Sequence, residues 1–218
     1  MATATFLNSR GTTDVLVWER WVANAQRFGI VDGYAANAAN YPPLSYLILS
    51  GAARILGTLG IAPFDAIKLS LALFLIITSA TFWLWTKDVI LAAGLHLSLL
   101  VSAVALGYLD IFYAPSLLLS LWALRRHRVV PAAVLFTVAC LTKPQPLIIA
   151  PFIWVYAFAA APTSVRITRH RRFVVSYVLP SVMTIVLAVS ESDPWRMPSY
   201  ALPRLRRCPD LGSTSAGC

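Results

Sequence analysis

The chain has 218 residues, of which 58% are hydrophobic and only 12% charged, with a mean hydropathy of +0.70. Soluble domains carry about a quarter charged residues, so this composition excludes a disordered chain and argues against a water-soluble globule. The formal charge of +9 would suit nucleic acid, but the basic residues sit in short stretches between apolar blocks, where they mark cytoplasmic loops instead.

Residues 1–43 are mixed polar and aromatic, and they hold no apolar stretch of the kind a signal peptide needs. Asp14, Trp18, Glu19 and Trp21 read as one short amphipathic helix. The block 44–61 carries Arg54, Gly51, Gly57 and Gly60. It is a poor spanning segment and is expected to lie along the bilayer surface as a juxtamembrane helix. A crossing would instead put Asp14 on the face opposite Asp110 and Lys143. Blocks 66–86 and 89–107 meet the ~20 residues that a ~30 Å hydrocarbon layer requires. Blocks 108–124, 129–142, 145–161 and 173–190 follow, the second of them short and flanked by Pro131 and Pro144.

The fold class expected is all-α: a polytopic membrane helical bundle over residues 44–190, behind a first extracytoplasmic loop, 1–43, that bears short juxtamembrane helices. With that loop outside, Lys87 and the basic stretches 125–128 and 166–172 fall inside, while Arg54, Lys68 and Lys143 fall on the other side. The expected location is the cell membrane, as a multi-pass protein. Residues 191–218 change character abruptly. They form an atypical tail compatible with disorder and read as the end of a truncated or frame-altered chain.

Three polar clusters need a reason to lie near spans. They are Asp14 with its aromatic neighbours, Asp110 in GYLDIFY, and Lys143 with Gln145 in LTKPQPL, where Pro144 and Pro146 free backbone groups. The topology brings all three to the outer surface. Each has a plain structural alternative. Asp14 could be a helix N-cap, Asp110 could cap a helix from Ile111, and Lys143 could snorkel to headgroups. Trp18, Trp21, Trp83, Trp85 and Trp122 could be interface anchors. Cys140 reads as a packing residue, and neither the three cysteines nor His96, His127 and His170 show ligand spacing, so no metal site is expected.

The pattern D-x(3)-W-x(2)-W (Asp14, Trp18, Trp21), then Gly29, Gly33 and Tyr34, then YPPLSYL with Tyr41 and Tyr46, resembles the first outer loop of GT-C glycosyltransferases. These are multi-spanning enzymes that take a sugar from a polyprenyl-phosphate carrier. GYLDIFYAPSLLLSLWALRRHR is similar to the family's Gly-Gln-x-Asp segment, with Tyr108 where Gln is usual, and LTKPQPLIIAP resembles its Lys-Pro-Gln segment. The resemblance covers roughly residues 12–160. The family has a membrane span ahead of the outer loop, and no such segment precedes Asp14 here.

The resemblance implies that the Pro-Pro-Leu helix lies along the membrane and that Asp14 is the catalytic base. It implies transfer of a hexose, mannose or glucose, from a polyprenyl phosphate to a glycan or glycolipid acceptor, with inversion. A sugar hydroxyl is a poor nucleophile and needs a carboxylate to take its proton. The departing lipid phosphate needs a cation or hydrogen-bond donors. Lys143 and Gln145 suit the phosphate, and Asp110 and Tyr41 suit orientation or substrate binding. The partners expected are membrane lipid, the polyprenyl-phosphate sugar and the acceptor, with no nucleic acid; the lipid-linked donor is the one cofactor-like group identified, and a metal requirement stays open. Two other classes stay open. A transporter or lipid flippase would carry its polar residues near the midplane, on broken helices. A non-catalytic membrane fragment would carry no site at all.

Overall fold

The computed structural model describes residues 6–37 and 41–159, and every regular element among them is helical. The basic stretch 166–172, the block 173–190 and the tail 191–218 lie outside the described residues.

Helix α1 (Thr13–Phe28) and the short α2 (Ile30–Ala36) are joined at Gly29, whose φ of 84° is open to glycine at no steric cost. Next come α3 (Pro43–Gly57) and α4 (Pro63–Thr86). Each begins with a proline in its first turn, where the missing N–H is no loss. Asp88 caps α5 (Val89–Leu100) by accepting from the Ile90 and Leu91 N–H groups at 2.8 and 3.1 Å. Helix α5 widens into a π turn over Val101–Ala105, and a 3-10 turn, Leu109–Phe112, leads to α6 (Ala114–Arg125). Then come α7 (Val129–Thr142), a second 3-10 turn (Gln145–Ile149) and α8 (Ala150–Ala159).

Helices α4 to α7 run alternately between two ends. Lys68, early in α4, bonds the Val104 carbonyl after α5, and Ser79 further along meets His96 at 3.0 Å. Asp110, just before α6, pairs with Lys143 just after α7, and Ser120 donates to the Ala132 carbonyl at 2.7 Å. Phe74 packs on Phe112 at 4.7 Å, so α4 and α6 lie side by side in the same direction. One end therefore carries Lys68, Asp110 and Lys143, and the other carries Trp85, Arg125 and Arg126. Helix α3 packs against α1, α4 and α7, and Ser45 in its first turn donates to the Thr142 carbonyl.

The residues before α3 are not a detached loop. Val15, Trp18, Trp21 and Val22 of α1 are buried in the same core as Tyr46, Leu49, Leu71, Leu75 and Phe112. Spacings of three and four residues put them on one helix side. Trp18 and Trp21 are each 3% exposed, which corrects the expectation that they are interface anchors. Trp83 stays exposed.

Helix α4, with 24 residues, is the one described helix long and apolar enough to cross a membrane. Pro43–Gly57, Val89–Ala105 and Val129–Thr142 are apolar but shorter. The expected blocks 89–107 and 108–124 have narrower helical bounds than their apolar content suggests. The first ends as a helix at Ala105, because the chain turns at Gly107 (φ 83°). The second spends its start in extended and 3-10 geometry and becomes α-helical only at Ala114. Leu69, Leu73, Ile76, Ile77 and Leu84 form an exposed apolar stripe along α4, and Ile90, Leu91 and Leu97 of α5 are exposed as well. Apolar surface on that scale marks contact with lipid or protein.

The end of α5 explains why α1 docks where it does. A helix terminus leaves its last carbonyls without intrahelical donors. Here the Lys68 ammonium bonds the Val104 and Ala105 carbonyls at 2.7 and 3.3 Å, and Ser9 also donates to Ala105 at 3.0 Å. The Thr12 N–H and hydroxyl both reach the Leu106 carbonyl, at 3.0 and 3.1 Å, and the Trp18 indole N–H reaches Gly107 at 3.2 Å. Lys68 is 1% exposed, with the Phe64 ring 5.7 Å from its ammonium. The partial negative charge of the helix end is what holds it there. Lys68→Met keeps the bulk and removes the donor, leaving the Val104 carbonyl unpaired. It is expected to cost about 2 kcal/mol, measured as a lower unfolding midpoint in detergent.

Candidate active site

The site is assembled from α1 upward. A Cβ on Gly33 would stand 2.8 Å from the Asn24 carbonyl oxygen and would collide with the Tyr46 hydroxyl. Only glycine therefore lets α2 fold back on α1. That fold-back sets Tyr34 where its hydroxyl donates to the Tyr41 carbonyl at 2.7 Å. Tyr41 in turn meets Trp18 and Trp21 edge-on, with ring centroids at 5.2 and 5.6 Å, and the two indoles lie 4.7 Å apart. Edge-to-face contacts of this kind fix ring orientation as well as burying area.

Against the Tyr41 ring, 5.3 Å from its centroid, stands the Lys143 ammonium, which forms an ion pair with Asp110. Lys143 ends α7 in extended geometry (φ −154°, ψ 140°), because Pro144 disfavours helical backbone at the residue before it. Asp110 sits in the 3-10 turn that follows the docked carbonyls of residues 104–107. The pair is unequally covered: the lysine side chain is 14% exposed and the aspartate 46%. The carboxylate edge is thus open to an incoming group while the ammonium is shielded. These contacts correct two expectations. Asp110 caps no helix, since α6 starts at Ala114, and Lys143 turns to an ion pair rather than to headgroups.

Burial pulls the Lys143 ammonium down, but the hydrogen bond and charge of Asp110, with the Tyr41 phenol, more than offset it, so its pKa rises above 10.5. Burial, and then the Asp110 charge, raise the Tyr113 phenol, with Lys143 acting in the opposite sense. A lysine whose folded pKa exceeds its unfolded value stabilises fully below the unfolded value and loses that contribution as pH climbs through the folded one. The pair should therefore be indifferent to pH from neutrality to about 9 and weaken above 10.5. The small difference in unfolding midpoint between the wild type and Lys143→Met should hold from neutrality to about 9 and fade above 10.5.

Asp14 lies in the first turn of α1, half-buried. The N-cap position belongs to Thr12, which makes no side-chain capping bond, so the capping alternative for Asp14 fails. Among the described residues the Asp14 carboxylate has no hydrogen bond or ion pair. It shares a helix side with Trp18, four residues on. Because Thr12 and Trp18 are tied to the Leu106 and Gly107 carbonyls, Asp14 stands at the end of the molecule that carries the Asp110–Lys143 pair. Gln145 is exposed at the start of its 3-10 turn, with no hydrogen bond to any described residue. The structure thus joins Asp110, Lys143 and Tyr41, sets Asp14 on the same end without touching them, and leaves Gln145 outside.

Lys68, expected merely as a charge on the outer side, ties the α5 terminus to α4 beside the site. A lone lysine one turn inside a long apolar block is the signal that could have found it, since such a charge requires a partner. Among the described residues, no group of three or more His, Cys, Asp or Glu is placed to hold a metal ion. No protein-family model, curated protein or solved structure matches the chain.

Proposed function

We propose that this chain is a multi-pass membrane glycosyltransferase of GT-C type, transferring mannose or glucose from a polyprenyl phosphate to an extracytoplasmic glycan or glycolipid. The observation that carries this is the gathering of Tyr41, Asp110 and Lys143 at the end of the bundle where α1 presents Asp14. These residues come from segments far apart in the sequence, and a merely structural lysine would not need an aromatic floor and a half-open carboxylate. The polar groups lie at helix ends rather than midway, which suits a transferase better than a transporter. The basic residues Arg125, Arg126 and Arg128 lie at the opposite end, as a cytoplasmic face would have them.

In this mechanism the Asp14 carboxylate takes the proton of the acceptor hydroxyl as its oxygen bonds to the anomeric carbon. The bond from that carbon to the phosphate oxygen breaks, and its electron pair leaves with the polyprenyl phosphate. Lys143 meets the growing charge, and Asp110 and Tyr41 hold the ammonium in place. One displacement inverts the anomeric configuration. The test is the full chain in phospholipid nanodiscs, offered polyprenyl-phosphate mannose, polyprenyl-phosphate glucose and the free polyprenol. Saturable binding of one phosphosugar, but not of the polyprenol, is expected. Binding of neither sugar would end the proposal.

A further inference from the structure

We propose a second anionic site: the cavity between the far ends of α4 and α6 receives the phosphate of an anionic phospholipid headgroup. The cavity has a volume of about 300 Å³ and is lined by Trp85, Trp122, Arg125 and Arg126. Lys68 and Trp85 are 17 positions apart on α4, so at 1.5 Å per residue the cavity lies about 25 Å from the candidate active site.

Three features give the cavity its chemistry. Two guanidinium groups line it, and Arg126 is stacked on Trp122, 4.6 Å from the ring centroid, which presents its planar fork in a held orientation. The Trp85 indole N–H is buried and has no acceptor among the described residues. A buried donor without a partner is costly, and a small turn of the indole toward the cavity would let a phosphate oxygen supply the missing acceptor. Among the described residues no carboxylate lines the cavity, and the nearby Asp88 is committed to the Ile90 and Leu91 N–H groups. The C-terminal ends of α4 and α6 bring about half a negative charge each, which two arginines outweigh.

The source of the phosphate follows from what adjoins the cavity. The exposed apolar stripe of α4 runs up to it through Trp83 and Leu84. A lipid can lay its chains on that stripe while its headgroup enters between the arginines, in the way basic pockets at helix ends take anionic lipids. Free phosphate would use the same donors but none of the apolar surface.

The test is native mass spectrometry of the full chain released from phosphatidylcholine nanodiscs with and without phosphatidylglycerol. The wild type should retain one phosphatidylglycerol in preference to phosphatidylcholine. Arg125→Gln, Arg126→Gln and Trp85→Phe should each weaken retention about tenfold. Trp85→Phe keeps a ring and removes only the donor. Arg128→Gln removes the same charge from the same loop outside the cavity and should leave retention unchanged. Equal losses in Arg128→Gln and the cavity variants would mean diffuse attraction and would overturn the site, as would full retention by Trp85→Phe. Competition by inorganic phosphate at the same concentration as the lipid would overturn the assignment to a headgroup.

Discussion

Asp14→Asn should lower hexose transfer by about 10²- to 10⁴-fold, the range in which a positioned general base operates. The substitution is close to isosteric. The carboxylate has no hydrogen bond or ion pair among the described residues, so folding should be untouched and the unfolding midpoint should not move. Donor binding should also survive, because the phosphate is assigned to Lys143, just after α7. A fall in kcat with an unchanged donor Kd is therefore the expected signature, read from initial rates in nanodiscs at saturating donor. Glu19, half-buried further along the same helix, is the internal comparison, and Glu19→Gln should behave as wild type. If Asp14→Asn turns over within about threefold of wild type, the base lies elsewhere.

Lys143→Met should produce the second large loss, about 10²- to 10³-fold in transfer, as removal of a positioned charge-stabilising donor does. Here donor binding should weaken together with turnover, which separates its role from that of Asp14. Asp110→Asn leaves the ammonium in place over the Tyr41 ring and frees it from its partner, so its loss should be smaller. The double variant should be no worse than Lys143→Met alone, because Asp110 acts through the lysine; a double-mutant cycle in transfer rate reads that directly. In stability the pair should contribute little, since the aspartate is 46% exposed and solvent screens half-open ion pairs. A Lys143→Met variant that loses stability in proportion to activity would argue for a structural pair instead.

Much of this arrangement is legible in local stretches of the sequence. Long apolar blocks announce an all-helical chain, because each acts on the backbone it contains. The spacing of Trp18 and Trp21 announces an amphipathic α1. Polar residues near apolar segments, at Asp110 and Lys143, announce that something must pair with them, because an isolated charge there is too costly to keep. Other features escape a reading of local stretches for one shared reason. Composition says how apolar a stretch is but not where its helix stops. Gly107 and the turn through Leu109–Phe112 make two helices shorter than their apolar blocks, since backbone dihedrals rather than hydropathy end a helix. The tryptophans of α1 read as interface anchors because nothing in their own segment reveals that Tyr41, Tyr46 and the α5 terminus would cover them.

By itself, then, the sequence determined helical class and the polar positions that demanded partners, both properties of local stretches. Which partner each polar group takes was decided only in three dimensions. Asp110 and Lys143 stand 33 positions apart, and Lys68 and Val104 stand 36 apart. Contacts at such separations form only when helices pack, and packing satisfies buried charges and orphaned carbonyls with whatever donors the fold brings near.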